Sequence, residues 1–105
     1  MVVPSYRVNF KYLDPIINLE KPATMSTMTI IIIDDPNSPN IITLKKLYDK
    51  DPFIRIRENK SNLGASLSRN RGLRESSADY ILFFDDDVIP EKNILLLIIK
   101  FYKFF

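Results

Sequence analysis

Unbroken apolar runs along the chain predict strands that are buried on both faces of a sheet. Residues 27–33 are mostly β-branched, and residues 80–84 read Tyr-Ile-Leu-Phe-Phe. Apolar runs of this length are typical of interior strands in a parallel sheet. Residues 1–3 have the composition of the end of a further strand, and residues 53–57 alternate apolar and basic side chains like a half-buried strand.

Helices are predicted in the intervals between these strands, over residues 15–20, 39–49, 65–75 and 91–105. The first two follow Asp14-Pro15 and Ser38-Pro39, in which the polar residue is a typical N-cap and proline a typical first helical residue. Strands that alternate with helices predict βαβ units. We therefore expect one α/β domain with a mainly parallel sheet and flanking helices.

The composition excludes several kinds of site. The 105 residues include no Cys and no His, which rules out disulfides, thiolate or imidazole metal ligands, a Cys nucleophile and a Ser-His-Asp triad. A formal net charge of +2 is too small to indicate nucleic acid or an anionic membrane as a partner. Any metal must be bound by oxygen, which favours a hard divalent cation.

Neither a targeting segment nor a membrane-spanning segment is expected. The N-terminus lacks the apolar stretch of a signal peptide. The longest apolar run near the C-terminus covers residues 94–99, far fewer than the roughly 20 residues that cross a bilayer. We therefore expect a cytoplasmic location.

Carboxylates follow both predicted interior strands. Asp34 and Asp35 end the first, and Asp85, Asp86 and Asp87 end the second. Ligands of open parallel sheets bind beyond the carboxyl ends of the strands, where a divalent cation would relieve the repulsion between carboxylates. For the first pair, capping or a solvated turn is an equally good interpretation. Three adjacent Asp residues serve no capping need, so we interpret them as a site for Mg²⁺ or Mn²⁺.

A basic segment over residues 55–74 contains both glycines of the chain, Gly64 and Gly72. In one interpretation Arg69 reaches a diphosphate, and Gly64 lets the start of a helix approach the same ligand. In the other, the segment is a solvated helix face and Gly72 allows close packing. Taken alone, the segment favours the second interpretation.

The order of four motifs resembles that of family 2 glycosyltransferases. The motifs are Val-Val-Pro-Ser-Tyr at 2–6, Ile-Ile-Ile-Ile-Asp-Asp at 30–35, Asn-x-Gly-x-x-x-Ser-Arg-Asn-x-Gly at 62–72, and Tyr-Ile-Leu-Phe-Phe-Asp-Asp-Asp at 80–87 with a proline at 90. Together they cover nearly the whole chain. The resemblance implies a GT-A fold, a Rossmann-like layer that binds a nucleotide-diphospho-sugar, and it identifies residues 1–105 as the N-terminal, donor-binding portion.

The resemblance also implies roles for individual residues. Pro4, Tyr6 and Asp35 match the positions that contact the nucleobase, and Arg69 is expected to line the same cleft. The Asp-x-Asp signature of the family falls on residues 85–87. Its carboxylates meet the ribose and the Mn²⁺ or Mg²⁺ that bridges the diphosphate.

Within that signature, Asp87 is expected to bind the metal, together with Asp85. Asp85 or Asp86 is expected to contact the ribose and the sugar. The catalytic base is unknown, and the resemblance places it beyond residue 105. The acceptor cannot be identified from these motifs.

Some positions depart from the family pattern. Arg7 stands where Asn is usual, and Ser68 replaces Ala before Arg69. The apolar helix at 91–105 carries Phe101, Tyr102, Phe104 and Phe105, and an exposed surface of this kind is expected to drive association.

Two other functions are considered beside glycosyl transfer. A non-catalytic fragment or pseudoenzyme would bind nucleotide-sugar weakly or act as an interaction module. Metal-dependent phosphoryl transfer also uses Asp at strand ends, but the Gly-x-x-x-x-Gly-Lys-Ser/Thr motif of such proteins is absent from the sequence.

Overall fold

Three parallel strands run through the centre of the protein in a computed structural model, which describes the backbone of residues 1–102 and the side chains of residues 1–100. The strands are β1 (Val2–Ser5), β2 (Thr29–Ile33) and β3 (Ile54–Glu58), in the order β1-β2-β3. The helices are α1 (Phe10–Ile17), α2 (Ile41–Tyr48), α3 (Ala65–Glu75) and α4 (Ile94–Tyr102). Strand and helix alternate, which confirms the predicted α/β class with a parallel sheet.

The central strand β2 is buried on both faces because its side chains alternate between two apolar layers. Ile31 and Ile33 pack on the face covered by α1 and α2. Ile30 and Ile32 pack with Val2 on the opposite face. A strand covered on both faces needs apolar side chains at nearly every position, which explains the run of four Ile residues from Ile30 to Ile33.

Helix α3 approaches β1 closely at Gly72. A Cβ atom added at this position would lie 2.3 Å from Val2 Cγ1, well inside van der Waals contact. The close-packing interpretation of Gly72 is therefore confirmed.

The predicted starts of α1 and α2 are wrong. Helix α1 begins at Phe10, where Asn9 accepts a hydrogen bond from the backbone N–H of Lys11. Pro15 then lies inside the helix, and Asp14 accepts a hydrogen bond from Tyr48 Oη at 2.9 Å instead of capping. Burial of the apolar face of α1 outweighs the helical hydrogen bond that proline removes.

Ser38 likewise does not cap α2. Its Oγ accepts a hydrogen bond from the N–H of Val8 at 2.8 Å, and it thereby ties the loop after β2 to the loop after β1. Helix α2 begins two residues later than Pro39, after Asn40, which has a left-handed backbone with φ of 67°. Asn tolerates this conformation better than most residues do.

The prediction of a fully buried strand at residues 80–84 is also wrong. The segment meets β1 through two hydrogen bonds, from Val2 N to the Leu82 carbonyl at 2.8 Å and from Phe84 N to the Val2 carbonyl at 3.1 Å. Leu82 is half-buried, whereas Tyr80 is 71% exposed and Phe83 is 39% exposed. Within residues 1–102 no strand pairs with the outer edge of this segment, so it stays at the margin of the sheet.

The apolar C-terminal segment forms α4, which begins at Ile94 rather than at residue 91. Leu95 is buried, while Leu96 and Leu97 are exposed. The side chains expected to drive association, those of residues 101, 102, 104 and 105, lie outside the described side chains. In the part of the chain that is described, every helix is too short or too polar to cross a membrane.

Candidate functional site

The carboxyl ends of β1 and β2 and the loop at residues 85–87 surround a cavity of about 230 Å³. It is lined by five of the residues predicted from the sequence: Pro4, Tyr6, Asp85, Asp86 and Asp87. The start of α3 closes another side with Ala65 and Ser68. A cleft at the carboxyl end of a parallel sheet is the usual ligand position in open α/β folds.

The other two predicted residues stand beside this cavity. The N–H of Asp35 donates to the Tyr6 carbonyl at 2.8 Å, so the ends of β1 and β2 stay together. Arg69 Nη2 lies 2.9 Å from Asp85 Oδ1 in an ion pair that is largely exposed to solvent. The structure thus brings all seven predicted residues to one edge of the sheet, and their roles toward a ligand stay predictions.

The three adjacent Asp residues have different surroundings. Asp86 Oδ2 accepts hydrogen bonds from Ser5 Oγ at 2.9 Å and from the N–H of Tyr6 at 3.3 Å. Asp85 and Asp87 are exposed at the cavity. Asp86 therefore attaches the acidic loop to β1, and its two neighbours face outward, where a ligand can reach them.

Those two exposed carboxylates would supply only part of a set of metal ligands. Among residues 1–102, no three acidic side chains are grouped so that they could hold a metal ion by themselves. Mg²⁺ and Mn²⁺ are commonly bound through one or two carboxylates, with waters and substrate phosphates as the remaining ligands. The donor atoms at Asp85 and Asp87 fit that kind of shared site.

Asp86 is expected to act on stability more than on ligand binding. We expect Ser5→Ala and Asp86→Asn each to lower the free energy of unfolding by about 1 kcal/mol, because each weakens a hydrogen bond to a charged group. The double variant should lose little more than one single variant, since both changes affect the same hydrogen bond. Urea denaturation of the three variants measures this coupling, and strictly additive losses would contradict the anchoring role.

Asp34 supports the loop that leads into α3. Its Oδ1 accepts hydrogen bonds from the N–H of Leu63 at 2.7 Å and from Asn59 Nδ2 at 2.8 Å, and Oδ2 accepts from the N–H of Gly64 at 3.1 Å. Burial by itself raises the pKa of Asp34, but these hydrogen bonds outweigh burial, and the pKa lies below its ordinary value. Asp34 is thus neither a solvated turn residue nor an N-cap. It lines the cavity, but both of its oxygens accept hydrogen bonds from the protein.

A buried asparagine connects this loop to the helix and was not predicted from the sequence. Asn59 Nδ2 donates to Ser68 Oγ at 2.9 Å as well as to Asp34, and Asn59 Oδ1 accepts from Arg71 Nη1 at 3.0 Å. Its position in the sequence could have indicated this role, because Asn59 is a polar residue directly after β3 and lies at the same sheet edge as the carboxylates. Ser68, noted as a departure from the family pattern, takes part in this network.

Asp35 is engaged on both carboxylate oxygens. Oδ1 accepts from the N–H of Asn37 at 2.9 Å, and Oδ2 accepts from Arg7 Nε at 2.7 Å. The hydrogen bond from Asn37 and then the one from Arg7 hold the pKa of Asp35 below its ordinary value. Arg7 also stands over the ring of Tyr6, with its Cζ 5.3 Å from the ring centroid.

A second, larger cavity of about 450 Å³ lies away from these carboxylates. Its walls include Met25, Met28, Ile81 and Leu95, and among the described side chains no Asp, Glu, Lys or Arg lines it. The described walls offer a diphosphate no charged side chain, so the smaller acidic cavity is the candidate site.

Comparison with known proteins decides the family. The model of glycosyl transferase family 2 matches residues 1–104. The chain belongs to this family. An uncharacterized glycosyltransferase of Haemophilus influenzae is 33% identical over 94 residues, which are 88% of this chain and 31% of that protein. The poly(ribitol-phosphate) beta-N-acetylglucosaminyltransferase TarP of Staphylococcus aureus is 39% identical over 67 residues, 62% of this chain and 20% of TarP.

Solved structures show the same fold for this family 2 chain. The crystal structure of S. aureus TarS superimposes with a TM-score of 0.77 at 20% identity and covers 97% of this chain and 19% of TarS. TarS 1-349 in complex with UDP gives a TM-score of 0.75 at 21% identity, over 97% of this chain and 31% of that one. The GT-A fold expected from the motifs is confirmed. The chain spans between 19% and 31% of the length of these relatives.

Proposed function

We propose that this family 2 chain is the donor-binding portion of a glycosyltransferase that uses a nucleotide-diphospho-sugar and a divalent cation. The observation that carries the proposal is the acidic cavity, where Tyr6 meets the exposed Asp85 and Asp87. Tyr6 is 53% exposed, so a nucleobase can contact its aromatic ring. The UDP bound to the related TarS structure agrees with a nucleotide ligand.

The diphosphate would lie between Arg69 and the two exposed carboxylates. The ion pair of Arg69 with Asp85 is solvent-exposed, and such pairs contribute at most about 1 kcal/mol, so Arg69 can turn toward a phosphate at little cost. Asp87 and Asp85 would hold Mn²⁺ or Mg²⁺. A bound cation neutralises the charge that develops on a nucleoside diphosphate as it leaves.

The transfer itself is proposed to invert the anomeric centre. The acceptor oxygen forms a bond to the anomeric carbon as the bond to the diphosphate oxygen breaks, and the hydroxyl proton passes to a general base. Among the described carboxylates at the site, Asp34, Asp35 and Asp86 accept hydrogen bonds from protein groups, and Asp85 is paired with Arg69. Asp87 is assigned to the metal. We therefore propose that the base lies beyond residue 105, and that these residues alone bind donor without transferring sugar.

Metal-dependent nucleotide binding tests the proposal. We expect UDP, GDP or another nucleoside diphosphate to raise the melting temperature of the 105-residue chain in the presence of Mn²⁺, since a ligand at 100 times its dissociation constant adds about 2.7 kcal/mol. Asp87→Ala should weaken that binding at least about tenfold, because the diphosphate then loses its bound counter-charge. Isothermal titration gives the affinities.

Glu58→Ala is the matched control. Glu58 also lies at the carboxyl end of a strand, but its carboxylate pairs with Lys45 at 2.7 Å and does not line the cavity. This variant should bind nucleotide like the unmodified chain. No stabilisation by any nucleoside diphosphate, or equal binding by Asp87→Ala, would contradict the proposal.

A further inference from the structure

Arg69 and Asp85 form an ion pair beside the acidic cavity. Arg69 Nη2 lies 2.9 Å from Asp85 Oδ1. Asp85 lines the cavity and is one of the two carboxylates proposed to hold the divalent cation. Half of the proposed pair of metal ligands is therefore already neutralised by a positive charge that belongs to the protein.

This ion pair is unlike the other contacts of the cavity carboxylates. Asp34 and Asp86 accept hydrogen bonds from uncharged groups. Asp87 makes no hydrogen bond or ion pair with the described residues, and none of the described Lys or Arg side chains lines the cavity wall. Arg69 and a bound cation would thus neutralise the same carboxylate, that of Asp85. The two positive charges must compete for it.

A diphosphate would relieve this competition because it offers Arg69 a better partner. A guanidinium donates hydrogen bonds in a planar fork that fits phosphate oxygens. Both members of the ion pair are partly exposed to solvent, and pairs of this kind are weak. Arg69 can therefore leave Asp85 for a phosphate, and Asp85 is then open to a cation that the phosphate oxygens also bind.

We propose that Arg69 couples cation binding to donor binding, because it neutralises Asp85 until a diphosphate draws it away. This inference rests on the proposed nucleotide-binding function. Two coupled ligands raise each other's affinity by the same factor. The chain should therefore bind a divalent cation weakly by itself and more tightly with a nucleoside diphosphate, and Arg69 should account for part of that difference.

Mn²⁺ titrations of the full chain, followed by electron paramagnetic resonance, test the coupling. Without nucleotide, Arg69→Ala should bind Mn²⁺ about threefold to fivefold more tightly than the unmodified chain, which is the most that an exposed ion pair contributes. At saturating UDP or GDP, whichever binds the unmodified chain more tightly, the two proteins should bind Mn²⁺ about equally, because Asp85 is then free in both. The ratio of the Mn²⁺ dissociation constants without and with nucleotide should fall accordingly in the variant.

Three further variants separate the pairing with Asp85 from a general change of charge. In an Asp85→Asn background, Arg69→Ala should leave the Mn²⁺ affinity unchanged within about twofold, because the shared carboxylate is gone. Arg69→Lys keeps a charge that can pair with Asp85 and should stay close to the unmodified chain. Arg74→Ala removes an exposed arginine of the same helix that lies outside the cavity wall, and this control should bind Mn²⁺ like the unmodified chain. The melting temperature of each variant shows whether it is folded.

The coupling and the proposed function fail in different ways. If Arg69→Ala binds Mn²⁺ without nucleotide no more tightly than the unmodified chain, donor binding stands and the role of Arg69 is wrong. An equal gain from Arg69→Ala in the Asp85→Asn background, or from Arg74→Ala, overturns the role as well, since loss of positive charge alone would then explain it. If neither UDP nor GDP binds to any variant, the proposed function itself is wrong, and the coupling is wrong with it.

Discussion

Asp34→Ala is expected to lower the free energy of unfolding by about 3 kcal/mol, because it removes an ionised acceptor shared by three protein donors, one of which is fully buried. The N–H groups of Leu63 and Gly64 and the side-chain amide of Asn59 all donate to Asp34. In the variant, water can accept only some of these hydrogen bonds, since Asp34 and Asn59 are both buried. The loop before α3 should loosen, and urea denaturation should show the loss in the transition midpoint.

The stabilisation that Asp34 contributes is also expected to depend on pH. The pKa of Asp34 is lowered in the folded state from an ordinary value of 3.8, so the unfolded state binds more protons as the pH falls. The stabilisation from Asp34 is therefore complete above about pH 5 and is lost as the pH falls through the lowered pKa. The difference between the unmodified chain and Asp34→Ala should be constant at neutral pH and shrink in acid.

Asp79→Ala is the control for both measurements. Asp79 is exposed in the loop after α3 and makes no hydrogen bond or ion pair within the described part of the chain. Its replacement should change stability by less than about 0.5 kcal/mol at any pH. An Asp34→Ala variant as stable as Asp79→Ala would show that the loop does not depend on this carboxylate.

Gly72→Ala is expected to destabilise the fold by about 2 kcal/mol, because the added methyl group would overlap the Val2 side chain. Helix propensity alone predicts the opposite sign, since Ala is better than Gly inside a helix by up to about 1 kcal/mol. The direction of the change therefore reports whether α3 packs against β1 as closely as described. Thermal or urea unfolding measures it.

A second substitution at Val2 tests the cause of that loss. The atoms nearest to the added methyl group are Cγ1 and Cγ2 of Val2, and Val2→Ala removes both. The double variant should be more stable than the sum of the two single losses predicts, by about 1 kcal/mol or more. Strictly additive losses would show that the close approach at Gly72 is not the source of the destabilisation.

The pattern of the sequence predicts β2 and α3 well because each carries its own structural signal. β2 is buried at every position and is apolar from Ile30 to Ile33, a pattern that is typical of a strand with two covered faces. The predicted bounds of α3, residues 65–75, agree with the structure. The starts of α1 and α2 differ from their predicted positions. Asn9 caps α1, and Ser38 accepts a hydrogen bond from Val8, and the prediction from proline positions took neither contact into account.

The sequence by itself determined which functional groups lie at the site. Parallel strands bring their carboxyl ends to one edge, so carboxylates that follow two apolar runs were expected to meet there. The absence of Cys and His restricted any metal ligands to oxygen. The four motifs in order were specific enough to indicate the family that the comparisons confirm.

Only the tertiary structure decided which carboxylates support the fold and which face the cavity. Asp86 meets Ser5 across 81 positions of the chain, and Asp34 meets Leu63 across 29. No local pattern reports such partners, because they are brought together by strand pairing and helix packing. The structure also placed Arg7 Nε 2.7 Å from Asp35 Oδ2, an ion pair across 28 positions of the chain that no local pattern predicted.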